Sequence, residues 1–139
     1  MKAATIPKSK AKTAYSLLSE VRTLILAEPK RYDQTTYIAR PDGLGESYEF
    51  TSRGFPSCGT VGCVAGWVAT LKGPRLFSYG AAGGIAASIL GLGDAQYYEL
   101  FGGGMVKGNA QTRAHAKSGA AHIAAFQKKY RAQLLAKKL

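Results

Sequence analysis

The sequence predicts a mainly α fold of the α+β kind: a compact helical domain with a small antiparallel β-hairpin and a long basic C-terminal helix. Three observations lead there. Apolar residues recur at three- and four-residue spacing over residues 13–28 and again over 112–138. β-favouring residues gather in one stretch, 32–51, around a turn-forming run. Hydrophobic residues make up 46% of a 139-residue chain, enough for a core without staples and too many for a disordered polyampholyte.

Residues 1–12 hold four lysines and no acid, and read as a basic N-terminal arm. The remainder, 13–139, reads as one globular domain. Its first helix runs from Thr13 to Glu28, with Leu17, Leu18, Val21, Leu24 and Ile25 as the apolar stripe. Thr13 is the expected N-cap, and Pro29 closes the helix because proline disfavours a helical residue before it. Tyr32, Thr35, Thr36, Tyr37 and Ile38, then Tyr48, Phe50 and Thr51, are expected as the strands of the hairpin. The run Arg40-Pro41-Asp42-Gly43-Leu44-Gly45 supplies the turn between them. An isolated hairpin is only marginally stable, so it must pack on the helices.

A second helix is expected over 58–72, with Ser57 or Thr60 as its cap and Gly73-Pro74 as its stop. A short helix of small residues follows from Gly80 to Leu90 and ends at Gly91. Asp94 caps another that ends at Phe101, before Gly102-Gly103-Gly104. The final helix covers 112–138, with a weak point at Gly119. Glycines number 17, and Gly62, Gly66, Gly83 and Gly84 fall inside expected helices. Each costs about 1 kcal/mol relative to Ala, which close backbone packing accounts for more readily than a ligand lying on the backbone.

The densest chemical signal is Cys58-Gly-Thr-Val-Gly-Cys63-Val-Ala-Gly-Trp67. A disulfide requires Cys58 to lie off the helix. Two residues five apart on one helix are separated by about 7.5 Å along the axis, whereas a bridge wants Cα atoms within about 7 Å. A zinc site needs His115 and His122 as well, yet these stand about 10.5 Å apart on a continuous helix. Neither a metal nor another cofactor is therefore expected. A nucleophile is the third reading: a cysteine in a first helical turn sees the positive end of the dipole, with Cys58 or Cys63 attacking and His115 or His122 as base. The bland reading is preferred. Cys63 and Trp67, four apart, share a helix face, and Cys63 packs as a small hydrophobe beside Val61, Val64, Val68 and Leu71.

The Cys58–Trp67 pattern is followed by Leu90-Gly91-Leu92-Gly93 and Leu100-Phe101, and preceded by Tyr32-Asp33-Gln34. Together these resemble a family of small uncharacterised proteins from phages and bacteria, over roughly residues 28–101. The resemblance implies a mobile-element setting and assigns no catalytic residue. The basic tail and both histidines fall outside it.

Charge carries the functional expectation. Lys and Arg number 19 against 8 Asp and Glu, for a net +11. Glu99 is the last acid; after it come Lys107, Arg113, Lys117, Lys128, Lys129, Arg131, Lys137 and Lys138. On a helical wheel Ala116, Gly119, Ala120, Ile123, Phe126, Tyr130 and Leu134 form one stripe, with Lys117, Lys128, Arg131 and Lys138 on or near the opposite face. Surface lysines are usually just solvated, but a run of eight cations without an acid fits an electrostatic footprint for phosphate backbones. Arg40, Arg53 and Arg75, near Tyr37, Phe55 and Phe77, would add base stacking. The expected partner is nucleic acid or a nucleoprotein complex, with a host protein and the inhibition of a host defence complex as one form of it. No zinc-finger spacing or RNA-recognition motif supports base-specific reading, and the helices between Thr60 and Leu100 give only a faint helix-turn-helix signal. A cysteine-dependent enzyme and a membrane-surface or structural interaction protein are the alternatives.

The N-terminal MKAATIPKSKAKTAYSLL lacks an apolar h-region, so a secretory signal is not expected and a cytoplasmic location is. Two cysteines are too few for a disulfide-built secreted domain. Leu76–Gly93 is uncharged for eighteen residues, but its Gly, Ala and Ser gain little from hydrocarbon, and a span needs about 20 predominantly apolar residues.

Overall fold

Thr13 starts the first helix as its sequence predicts. Its Oγ1 accepts from Ser16 N (3.1 Å), and Ser16 Oγ accepts from Thr13 N in return (3.2 Å), so two orphan donors of the first turn are satisfied reciprocally. Helix α1 (Ala14–Ala27) buries Leu17, Leu18, Val21 and Ile25, and leaves Leu24 half-buried. Pro29 opens a 3-10 turn, Pro29–Arg31. The computed structural model describes residues 8–34, 38–39, 61–73, 81–102 and 106–139. Among these the fold is mainly helical: α1 is followed by α2 (Val64–Lys72), α3 (Ala82–Leu90), α4 (Asp94–Phe101), α5 (Arg113–Lys129) and α6 (Arg131–Ala136).

Strand structure among the described residues is one ladder of two residue pairs. β1 (Ile38–Ala39) runs antiparallel to β2 (Val61–Gly62), with Ile38 opposite Gly62 and Ala39 opposite Val61. The expected hairpin is not supported. The partner of Ile38 is the residue pair just before α2, and the proposed second strand Tyr48–Thr51 and the Arg40–Gly45 turn lie outside the described residues. The same pairing corrects the expected 58–72 helix. Val61 and Gly62 are extended, and Cys63 is still extended (φ −82°, ψ −177°), so α2 begins at Val64 with Cys63 as its N-cap in place of Ser57 or Thr60.

One connected apolar core takes residues from all six helices. Trp67 lies at 0% exposure within it, and Val64, Val68 and Leu71 fill the rest of the α2 face. Helix α2 packs chiefly on α3, and α1 packs chiefly on α5. Gly91 closes α3 in the left-handed region (φ 70°), where a side chain would be strained. Helix α4 begins one residue earlier than expected: Asp94 is its first residue, Gly93 takes its place as the N-cap, and Gln96 Oε1 accepts from Gly93 N (2.9 Å).

The final helical stretch differs most from expectation. It runs unbroken through Gly119 and divides at Tyr130 (φ −113°, ψ 28°). Gly119 is not a weak point because the Tyr32 ring lies against it, so close that a Cβ there would stand 2.4 Å from Tyr32 Cε2. Tyr130 departs from helical geometry while Glu99 Oε1 accepts its hydroxyl (2.7 Å). The change of direction lets α6 bury Leu134 against the core. It also brings Lys137 O to Ala14 N (2.9 Å) and Leu139 N to Lys12 O (3.0 Å).

The described part of the N-terminal arm is docked. Ser9 N donates to Leu71 O (2.9 Å), and Lys8 Nζ donates to Thr70 O and Gly73 O, completing the carbonyl end of α2 with a cation. Partial burial there holds the Lys8 ammonium below the usual lysine range. No helix of the described residues is long and apolar enough to cross a membrane; the described part of the suspect 76–93 stretch holds the nine-residue α3.

Candidate functional site

Among the described residues two places gather chemistry-bearing side chains. The first is buried and centres on Gln34, at 5% exposure. Its Oε1 accepts from the Tyr32 hydroxyl (2.8 Å) and from Val64 N (3.2 Å), and its Nε2 donates to Phe101 O (3.0 Å). Its backbone N donates to His115 Nε2 (3.1 Å). Tyr32 stacks on the His115 ring at 4.8 Å between centroids. Trp67 Nε1 donates to Arg31 O (2.8 Å), and the Arg31 guanidinium lies 5.7 Å from the Trp67 ring centroid. The segment after α1, the first turn of α2, the end of α4 and the first turns of α5 are thereby tied through one glutamine, the last of them by its backbone N–H and the others by its side chain.

This cluster decides what Cys63 and His115 can do. His115 Nε2 is an acceptor to Gln34 N, so the ring proton sits on Nδ1 and is donated to Lys107 O (3.0 Å). Both ring nitrogens are therefore engaged with backbone, leaving none to take a thiol proton. The Cys63 Sγ accepts from Gly66 N (3.4 Å) as a helix cap. Burial pushes its thiol up to about 11, against the partial relief of the Gly66 and Ala65 N–H groups. A thiol protonated at neutral pH and 2% exposed is poorly placed as a nucleophile. Burial, with the neighbouring Cys63 and Asp33 charges, likewise raises the Tyr32 phenol. Cys58 lies outside the described residues. His122 points elsewhere, with its Nε2 2.7 Å from Glu99 O. Among the described residues no group of three or more His, Cys, Asp or Glu is placed to hold a metal ion.

The second place is the outer surface of α5 and α6. The apolar stripe read from the wheel is the buried side: Ala116, Gly119, Ala120, Ile123, Phe126 and Leu134 are buried and Tyr130 half-buried, joined by His115 and Gln127. Arg113, Lys117 and Lys128 are exposed on the other side, with no carboxylate within ion-pair distance among the described residues. Arg131, also exposed, lies over the Tyr15 ring at 5.2 Å and donates to its hydroxyl (3.3 Å). On the same flank Arg22 Nη1 donates to Gln127 Oε1 (3.1 Å). The opposite flank is neutralised. Lys129 Nζ stands 3.1 Å from Glu99 Oε2, and the Tyr130 hydroxyl followed by Lys129 hold that carboxyl below the usual range. Glu99 in turn raises Lys129.

Comparison with protein families, with curated proteins and with solved structures finds no match for this chain. The resemblance drawn on the Cys58–Trp67 pattern rests on those residues alone.

The structure does bring two parts of that pattern together. Tyr32-Asp33-Gln34 and Cys63–Trp67 meet through Gln34, Val64 and the Trp67–Arg31 bond. Sequence reasoning quoted Gln34 and gave it no role, and it treated His115 as a detached base. The usable signal was a glutamine in an apolar context beside an aromatic, which when buried must find partners for both ends of its amide. Of the predicted cations, Arg113, Lys117, Lys128 and Arg131 share one flank. Lys129 belongs to the other, Lys107 anchors His115 through its carbonyl, and Lys137 and Lys138 lie exposed beyond α6, beside the chain's pairing with Lys12–Ala14. Arg40, Arg53 and Arg75 lie outside the described residues.

Proposed function

We propose that this chain is a non-enzymatic binding protein of the cytoplasm that engages nucleic acid, or a nucleoprotein complex, through the cationic flank of α5 and α6. One observation carries the reading: Arg113, Lys117 and Lys128 stand exposed in a row on a helix whose other side is fixed in the core, with no carboxylate paired to any of them among the described residues. Holding like charges together without counterions costs free energy, which a polyanion offsets by releasing its own condensed cations. The buried cluster supports the non-enzymatic half of the reading, because His115 and Cys63 are each engaged with backbone partners.

The test is a salt titration of binding to generic DNA and RNA. If Arg113, Lys117, Lys128 and Arg131 each neutralise one phosphate, log Kobs falls with log salt at a slope of about −4. The Lys128→Ala/Arg131→Ala variant should lower the slope by about 2 and weaken binding to all sequences alike. Absence of binding to either nucleic acid at low salt, with acidic vesicles bound instead, would overturn the reading.

A further inference from the structure

We infer that α5 spans the major groove of duplex DNA, with Arg113 and Lys117 on one phosphate strand and Lys128 and Arg131 on the other. The inference rests on the nucleic-acid reading above and narrows it to one form of nucleic acid, bound without regard to base sequence.

Spacing is the first argument. At 100° per residue, Arg113, Lys117, Ala124 and Lys128 fall within an arc of about 60° on α5, so the cations share one ridge. They are not evenly spread along it. Lys117 and Lys128 are eleven residues apart, about 16.5 Å along the axis, with no charged side chain on the ridge between them. That leaves two cationic ends separated by a neutral middle. A major groove about 12 Å wide admits a helix and is bordered by phosphates on both sides, which matches a separation of this size once side-chain reach is included. A single strand offers no second row of phosphates at a fixed distance. The A-form RNA major groove is too deep and narrow to take a helix.

The neutral middle is the second argument. Ala121 and Ala125 are exposed and Ala124 is half-buried, so the helix backbone meets the surface there with only methyl groups over it. Small side chains let the helix sit low between two phosphate rows. They also present no donor or acceptor to base edges, leaving the thymine methyl as the one apolar contact in reach. Charge on the flanks agrees. Glu99, beside the C-terminal half of α5, is paired with Lys129 and Tyr130, and Arg22 adds a cation on the α1 side.

The test is fluorescence anisotropy at low salt with three probes of about 20 residues per strand: duplex DNA, single-stranded DNA of the same sequence, and duplex RNA. Duplex DNA should bind at least about tenfold tighter than the other two, and shuffling its sequence should change affinity by less than about threefold. The Ala121→Gln/Ala125→Gln variant keeps the charge and uses good helix formers, so it should fold normally and lose about tenfold for duplex DNA alone. Equal affinity for the three probes, a single-strand preference, or a Gln pair without effect would overturn the groove placement while leaving the cationic-flank reading intact. Failure to bind any probe would overturn both.

Discussion

The buried cluster around Gln34 and the outer flank of α5 contain the same kinds of atoms in opposite states. Inside, every polar group described above has a partner: the Tyr32 hydroxyl, the Val64 amide, the Phe101 carbonyl and both His115 nitrogens are matched within 3.2 Å. Outside, Arg113, Lys117 and Lys128 have no carboxylate within ion-pair distance among the described residues, although Lys129, one residue on from Lys128, has Glu99 at 3.1 Å. Satisfaction in the interior holds the helices in register. Its absence on the surface leaves attraction for something else. The residue types that look most catalytic in the sequence, Cys63 and His115, belong to the first region.

Breaking the interior should have the largest effect. Gln34→Ala would leave the Tyr32 hydroxyl, Val64 N and Phe101 O without these partners in a buried site, at a cost of roughly 3–5 kcal/mol. Chemical denaturation should show this as a fall in midpoint. The salt slope of binding, measured where the variant is still folded, should stay the same.

Two glycines sharpen the point with opposite signs. Gly119→Ala places a Cβ 2.4 Å from a Tyr32 ring that cannot swing away, because it is fully buried, bonded to Gln34 and stacked on His115. Thermal unfolding should show a loss of about 1–3 kcal/mol despite the better helix propensity of alanine. Gly84→Ala, on the exposed side of α3 with nothing within 4 Å of the new methyl, should instead gain about 0.5–1 kcal/mol.

The thiol gives a pH test of the interior. Cys63 ordinarily titrates near 9 and is pushed up to about 11 by burial. Between those values the folded chain holds a proton that the unfolded chain releases, so folding is disfavoured as pH rises. The thiol's contribution is fully present below about pH 9 and is lost toward pH 11. Cys63→Ala should flatten the stability profile in that window relative to wild type. In a Cys58→Ser background, native Cys63 should resist thiol reagents at neutral pH and react at the rate of local opening. Rapid modification of the folded chain would return Cys63 to the list of nucleophiles.

Local signals in the sequence account for much of this. The Thr13 cap, the Leu17–Ile25 stripe, the Gly91 stop and the buried side of α5 each depend on residues within a turn or two, and each is found where periodicity and capping place it. Features set by distant partners were not legible. Ile38 pairs with Gly62 across more than twenty residues, and that pairing delays the start of α2 to Val64. The final helix divides at Tyr130, held by Glu99, and passes intact through Gly119, covered by Tyr32. In the candidate interface the cations were legible by count. Their division into a paired and an unpaired flank was not, since it turns on where Glu99 of α4 lies beside α5.

That division is the central claim, and two neighbouring lysines test it most directly. Lys128→Ala and Lys129→Ala change net charge and helix propensity identically. Affinity for duplex DNA, measured across a range of salt, should fall about fivefold to tenfold for Lys128→Ala with the slope reduced by about 1, and change by less than about twofold for Lys129→Ala. Equal losses for the two variants would mean that net charge alone attracts the partner. A larger loss for Lys129→Ala would place the interface on the α4 side and contradict the account.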